Sequence, residues 1–249
     1  MADAGGMMFS LAEPRKTLQR VVVLAALAIG MCACSVCVLG AQQAPASAAT
    51  SAQAQAAQTQ RQTSTPYTGD LSIFETKGRD ERLQIQRVMD LLGIVPGSSV
   101  ADIGAGSGWF TVRAAARVGA AGNVFAEDIN PEAITYIRKR AETEKLPQVH
   151  VVLGSVDDPT LPPSSVDAML IMKTYHEFAK PVELLRKLKL ALKPGAKLGI
   201  IDRNGNGTDH GIMPDVVRRE AAEAGLKLVG KYDFTKADGE DYFLVFVVK

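Results

Sequence analysis

Seven consecutive residues, Asp102-Ile103-Gly104-Ala105-Gly106-Ser107-Gly108, set three alternating glycines directly behind a carboxylate. Glycine accepts positive φ and lets backbone come close to a ligand with its amide groups free to face it. An apolar run precedes the loop and an alanine-rich stretch follows it, so the loop stands where a strand becomes a helix. Open α/β sheets hold nucleotide-type ligands at that place. Asp128 lies twenty residues past Gly108, at the end of the next apolar run, suited to grip the two hydroxyls of a ribose. A tight turn with no ligand is the competing reading of the loop, and Asp128 in that register weighs against it.

The loop also discriminates between ligands. A dinucleotide fingerprint needs a small residue where Trp109 stands, for close packing and room for a pyrophosphate. Its third glycine would also fall one residue later than Gly108 does. Asp102, beside a helix N-terminus, repels a pyrophosphate and favours a ligand carrying an ammonium or a sulfonium. The pattern points to S-adenosylmethionine.

Two later segments carry polar groups that could act on a second substrate. Lys173-Thr174-Tyr175-His176-Glu177 follows an apolar strand. His176 and Glu177 are candidates for a general base or for substrate ligands; capping the strand, or pairing with arginine or lysine, is the alternative. Tyr175 is expected to pack on the cofactor or to touch the substrate. Residues 202–211 form a polar, glycine-rich loop long enough to move as a lid. Asp209 and His210 within it offer two metal ligands without a third, so no metal is expected and a plain surface loop is favoured. His150 opens a strand and reads as structural.

The elements that must position these groups alternate. Helical periodicity covers 79–92, and strand-like runs cover 99–103, 123–128, 149–153, 166–172, 197–202, 226–232 and 242–248. Helices are expected at 107–118, 132–144, 181–192 and 214–224, several of them opened by proline or closed by glycine. Strands alternating with helices imply a parallel sheet covered on both faces. Only a tight turn near Ala237-Asp238-Gly239 separates the last two strands, which forces a hairpin. The fold class is therefore α/β: an open, doubly wound, mostly parallel seven-stranded sheet with a terminal antiparallel hairpin.

Residues 100–109 resemble the first motif of the class I S-adenosylmethionine-dependent methyltransferases of the small-molecule type, and the resemblance extends over about 79–249. It implies the Rossmann-like methyltransferase fold, with Asp102, Gly104, Ala105, Gly106 and Gly108 around the methionine part of the cofactor. It implies further that Asp128 binds the ribose and Ile129 packs on adenine. After the third strand the family often has glycine–aspartate, whose acid accepts from the adenine amino group. This chain has Gly154-Ser155-Val156-Asp157-Asp158 there, so Ser155, Val156 and Asp157 are assigned to the adenine side, the acceptor being Ser155 or Asp157. Leu192-Lys193-Pro194-Gly195-Ala196 resembles the family's turn before strand five, with Ala196 in place of a usual glycine. The activity implied is in-line methyl transfer, in which positioning supplies much of the acceleration. An Asn/Asp-Pro-Pro-aromatic motif is missing, and little sequence is left for a substrate domain. A small or exposed acceptor is expected, and nucleic acid is not.

The 249 residues are 47% apolar and 22% charged, with a net charge of +1, which excludes wholesale disorder. Four of the 28 basic and three of the 27 acidic residues lie in 1–70, leaving 71–249 balanced at 24 of each sign. A neutral domain is a poor nucleic-acid scaffold. Arg15, Lys16 and Arg20 precede the uncharged run 21–41, which holds all three cysteines. That order reads as a signal peptide or membrane anchor over 1–41. It would contact the membrane or the secretion machinery and leave the domain outside the cytoplasm. Residues 42–70, almost all Ala, Gln, Ser and Thr, read as a flexible linker, and 71–249 as the methyltransferase domain. Export conflicts with the cytosolic supply of the cofactor. Two rival functions therefore stand beside the enzyme: a membrane-tethered, non-catalytic binding or scaffold protein of the same fold, and a nicotinamide-dependent oxidoreductase, which Trp109 and the hairpin disfavour.

Overall fold

The computed structural model describes residues 61–249. The segment 1–41 and most of 42–70 lie outside the described residues, and among those described no helix is long and apolar enough to cross a membrane.

The helical stripe at 79–92 is two helices, α1 (Arg79–Leu83) and α2 (Ile85–Leu92), broken at Gln84 with φ 52°. Residues two apart on one helix cannot face the same side, yet Leu83 and Ile85 are both fully buried. The left-handed residue between them turns both inward. Strand β1 (Ser99–Ile103) is buried along its whole length. Helix α3 (Trp109–Val118) starts two residues later than expected, because Gly108 at φ 74° makes the bend. Then come β2 (Asn123–Asp128), α4 (Pro131–Thr143), β3 (Val149–Leu153), β4 (Val166–Met172) and α5 (Pro181–Ala191). Asn130 caps α4, its side-chain oxygen accepting from the Glu132 amide with proline following at the first turn. The chain closes with β5 (Leu192–Asp202), α6 (Pro214–Glu223), β6 (Leu226–Tyr232) and β7 (Tyr242–Val248). The turn expected at 193–195 is a bulge inside β5, whose pairing jumps from Val166–Leu192 to Ala168–Lys197.

The sheet has seven strands in the order β3-β2-β1-β4-β5-β7-β6. All pairs are parallel except those of β7, which runs antiparallel between β5 and β6. The expected sheet and hairpin are therefore present. Helices α5 and α6 cover one face, with Leu184, Leu185, Leu188 and Val217 buried against Ile171, Leu198, Ile200 and Leu244. Helices α2 and α3 cover the other, with Met89, Leu92, Phe110 and Ala114 against Val100, Ala168, Leu170 and Phe243. Burial on both faces is why β1 and β4 read as continuous apolar runs rather than alternating ones. Strand order reverses between β1 and β4, which opens a crevice at their carboxyl ends.

Residues 61–70, of linker-like composition, run along this domain. The Arg61 amide donates to the Ala179 carbonyl at 2.8 Å, and its guanidinium meets the Tyr175 carbonyl at 2.6 Å and Glu220 at 3.0 Å. The Ser64 amide donates to the Gly207 carbonyl at 2.7 Å.

Candidate active site

The crevice holds a cavity of about 380 Å³, within the range of small-molecule sites. The glycine loop forms one wall. Gly104, Gly106 and Gly108 take φ of 67°, 56° and 74°. At Gly104 the backbone passes so close to Thr174 that an added Cβ would lie 2.3 Å from its methyl group. Asp128 holds the loop in place: one carboxylate oxygen accepts from the Gly106 amide at 2.8 Å and the other from the Asn130 amide at 2.8 Å. A carboxylate offers about four acceptor positions, so Asp128 keeps capacity for two hydroxyls.

Asp102, Glu127 and Asp128 line the same cavity. The Thr111 hydroxyl donates to Asp102 Oδ2 at 2.7 Å, both groups being buried. Burial pushes Asp102 up to about 7, with the Thr111 bond opposing it and the Asp128 charge adding to it. Glu127 is driven up to about 8 by burial, then by its neighbouring acids, and burial also raises Asp128. The sequence reading did not single out Glu127. Its local sign is Gly154, where a Cβ would sit 1.8 Å from a Glu127 carboxylate oxygen: the glycine makes room for the acid. These acids give the cavity a cation-seeking wall. Trp109 also lines it, sandwiched between the guanidiniums of Arg79 and Arg113 at 4.3 and 4.0 Å from the ring. That filled position leaves no small-residue crossing for a pyrophosphate.

Of the residues the sequence assigns to adenine, the cavity reaches Ile129, Ser155 and Val156, and both apolar side chains are exposed. Asp157 is not part of the lining; it accepts from the Ser155 hydroxyl at 2.9 Å. The opposite rim comes from a segment of linker-like composition and the turn after it: Thr63, Pro66, Tyr67, Leu71 and Phe74. Glu75 ties that segment to the loop, accepting from the Ser107 hydroxyl at 2.7 Å and pairing with Arg140.

Glu177 lines the cavity, and burial raises it to about 7 against the pull of His176. His176 is buried behind it. Its partner is neither arginine nor lysine but Asp202, whose oxygens lie 2.9 and 3.0 Å from Nδ1. A carboxylate only accepts, so in the neutral ring Nδ1 carries the hydrogen and Nε2 presents its lone pair. Asp202 also accepts from the His176 and Arg203 amides at 3.1 and 2.9 Å, which fixes the dyad. Tyr175 does not line the cavity. Its ring is fully buried in the core beside Phe178, and its hydroxyl donates to Glu220 at 2.8 Å. The loop after β5 folds back on itself: Arg203 binds the Asp209 and His210 carbonyls, and Asn206 bridges to Ile212. His210 adopts φ 59° and sets its ring edge-on to His176, centroids 5.8 Å apart. His150 is structural, with Nε2 2.9 Å from Asn123 Oδ1.

Residues 100–195 match the protein-family model described as a methyltransferase domain, a stretch running from β1 into β5. Among curated proteins, a protein-L-isoaspartate O-methyltransferase of Pyrococcus horikoshii is 29% identical over 153 residues, 61% of this chain and 65% of that one. A ubiquinone/menaquinone biosynthesis C-methyltransferase of Hydrogenovibrio crunogenus is 29% identical over 122 residues, 49% of this chain and 48% of that one. The chain thus spans less than two thirds of the length of either relative. Among solved structures, a SAM-dependent methyltransferase from Aquifex aeolicus superposes with a TM-score of 0.66 at 23% identity. That likeness of fold covers 72% of this chain and 97% of that one.

Proposed function

We propose, from a folded domain that belongs to the class I S-adenosylmethionine-dependent methyltransferases, that this chain carries a methyl group from that cofactor to a small or exposed acceptor. The observation that carries the reading is the cavity wall of Asp102, Glu127 and Asp128 around a glycine loop at the β1–β4 crevice. A close-approaching glycine loop, a ribose-binding acid and a cation-seeking wall fit a nucleoside that bears a sulfonium and an ammonium, although the Ala105, Gly106 and Gly108 amides are already engaged within the protein. When bound, S-adenosylmethionine supplies a methyl group on a positively charged sulfur, open to in-line displacement. Asp128 orients the ribose while it braces the loop, and Ile129 offers an apolar surface to the base. Thr63, Pro66, Tyr67, Leu71 and Phe74 of the segment 63–74 supply part of the cavity lining. Glu177 and the His176–Asp202 dyad stand on the acceptor side.

The two curated relatives are an O-methyltransferase and a C-methyltransferase, so neither hands this chain an acceptor atom. The small cavity supports a small acceptor. The test is calorimetric titration of the purified full-length chain with S-adenosylmethionine and NAD, then labelled methyl transfer to thiols, phenols, carboxylates and amines. We expect S-adenosylmethionine to be preferred, and Asp128→Ala to weaken it by about 1.5–3 kcal/mol, the range for hydrogen bonds to a charged group. Tight NAD binding without S-adenosylmethionine affinity would refute the reading. Cofactor binding without transfer to any acceptor class would favour the non-catalytic alternative. For location, we propose that residues 1–41 carry the domain across the cytoplasmic membrane, supported by the three basic residues ahead of the uncharged run 21–41.

A further inference from the structure

We propose that His176, Glu177 and His210 hold one divalent metal ion of the zinc class at the acceptor side of the cavity. The reading of Asp209 and His210 as two ligands without a third rested on sequence neighbours. The fold supplies different partners. Strands β4 and β5 are adjacent, so the loop after β4 and the loop after β5 meet. One ligand atom from each of His176, Glu177 and His210 lies within 4.8 Å of the others, so small side-chain adjustments bring all three onto one ion with bonds of about 2.0–2.2 Å. Two imidazoles and one carboxylate are the donor set of catalytic zinc sites that keep a fourth position open.

Three further features belong to such a site. His176 donates Nδ1–H to Asp202, and a carboxylate behind a ligating histidine is the usual device that fixes its tautomer and orients Nε2 toward a metal. Asp202 is fully buried and bound by two backbone amides, so the orientation is rigid. Glu177 has His176 Nε2 at 3.9 Å and, among the described residues, no lysine or arginine within ion-pairing distance. His210 is held at φ 59°, a backbone conformation costly for a residue other than glycine. The Arg203 bonds to the carbonyls of Asp209 and His210 keep the ring turned toward His176.

The ion's role rests on the methyl-transfer reading. Coordination through the open position lets a thiol or hydroxyl acceptor lose its proton to water near neutrality. The acceptor's lone pair then forms the bond to the methyl carbon, and the sulfonium sulfur keeps the electron pair of the bond that breaks.

The site itself is tested without turnover. Metal-free full-length chain is titrated with Zn²⁺ by calorimetry and with Co²⁺ by its visible d–d absorption, beside His210→Ala and Glu177→Gln. Cys32, Cys34 and Cys37 are common to all three proteins, so the difference isolates this site. We expect one ion per chain in the parent, weakened at least about tenfold in each variant, the loss that removing even an outer-shell partner of a ligand brings. His210 is exposed on a loop, so its replacement spares the core. Parent and variants that bind Zn²⁺ and Co²⁺ alike, or none that binds, would overturn the proposal. S-adenosylmethionine titrated in parallel separates the two readings. Its failure to bind would sink the methyltransferase function and leave the ion site standing, and the reverse result would remove the ion alone.

Discussion

Thr111→Val tests whether the carboxylate behind the glycine loop works as a charge. The Thr111 hydroxyl donates to Asp102 Oδ2 at 2.7 Å in a buried site, and valine keeps the shape while removing that donor. A hydrogen bond to a charged acceptor contributes about 1.5 kcal/mol at the low end. At about 1.36 kcal/mol per pH unit, its loss moves Asp102 up by roughly one unit. Burial pushes Asp102 up to about 7 in the parent. At pH 7 the carboxylate is thus about half ionised in the parent and roughly one part in ten in the variant. If the cofactor's positive charge requires ionised Asp102, the variant binds about fivefold more weakly at pH 7. The deficit closes by about pH 9, where both proteins are ionised, and parental affinity itself climbs roughly tenfold between about pH 6 and pH 8. Calorimetric titration with S-adenosylmethionine across that range reads all three quantities. A variant that matches the parent at every pH, or a deficit that persists unchanged at pH 9, would show that Asp102 acts through packing alone.

The same acids govern the stability of the ligand-free protein. Asp102 and Glu127 are raised in the fold to about 7 and about 8, so their stabilising contribution is complete below about pH 4 and is lost as pH rises through those values. Denaturant midpoints should fall between about pH 5 and pH 8, Glu127→Gln should flatten the slope, and midpoints rising over that window would contradict the account. Gly104→Ala places a Cβ 2.3 Å from the Thr174 methyl group at a φ of 67°. It should cost about 1–3 kcal/mol in urea unfolding and displace Thr174, and a variant as stable as the parent would mean the loop yields freely. A reporter fused after residue 70 should emerge outside the cytoplasmic membrane, and a soluble cytosolic reporter would refute the leader reading.

What was legible in the sequence is what lies close together along it. The acid, three glycines and Asp128 fall within 27 residues, so strand, turn, helix and next strand could be laid out from spacing alone. The mostly parallel, seven-stranded sheet and its terminal antiparallel hairpin followed from the alternation of elements and the short hairpin turn; the strand order did not. The break at Gln84 was hidden because a stripe of apolar residues does not show that two of them, Leu83 and Ile85, must both face inward. Glu127 was hidden because a buried acid at a strand end reads as one more polar residue until its neighbour Gly154 is seen to make room for it.

The grouping around His176 was hidden for a different reason. His176, Asp202 and His210 are separated by up to 34 positions and come from the segment after β4, the end of β5 and the loop after it, whose nearness depends on β4 pairing with β5. Once that pairing is known, the meeting is forced: Met172 sits opposite Ile201, and the Lys173 amide donates to the Ile201 carbonyl at 2.9 Å. Residues just beyond both strand ends must then be neighbours at the carboxyl edge of the sheet. The glycine loop with Asp128 is thus a local motif written in one stretch of chain. The cluster of His176, Asp202 and His210 is a property of strand order, and chemistry of that kind has to be sought where neighbouring strands end.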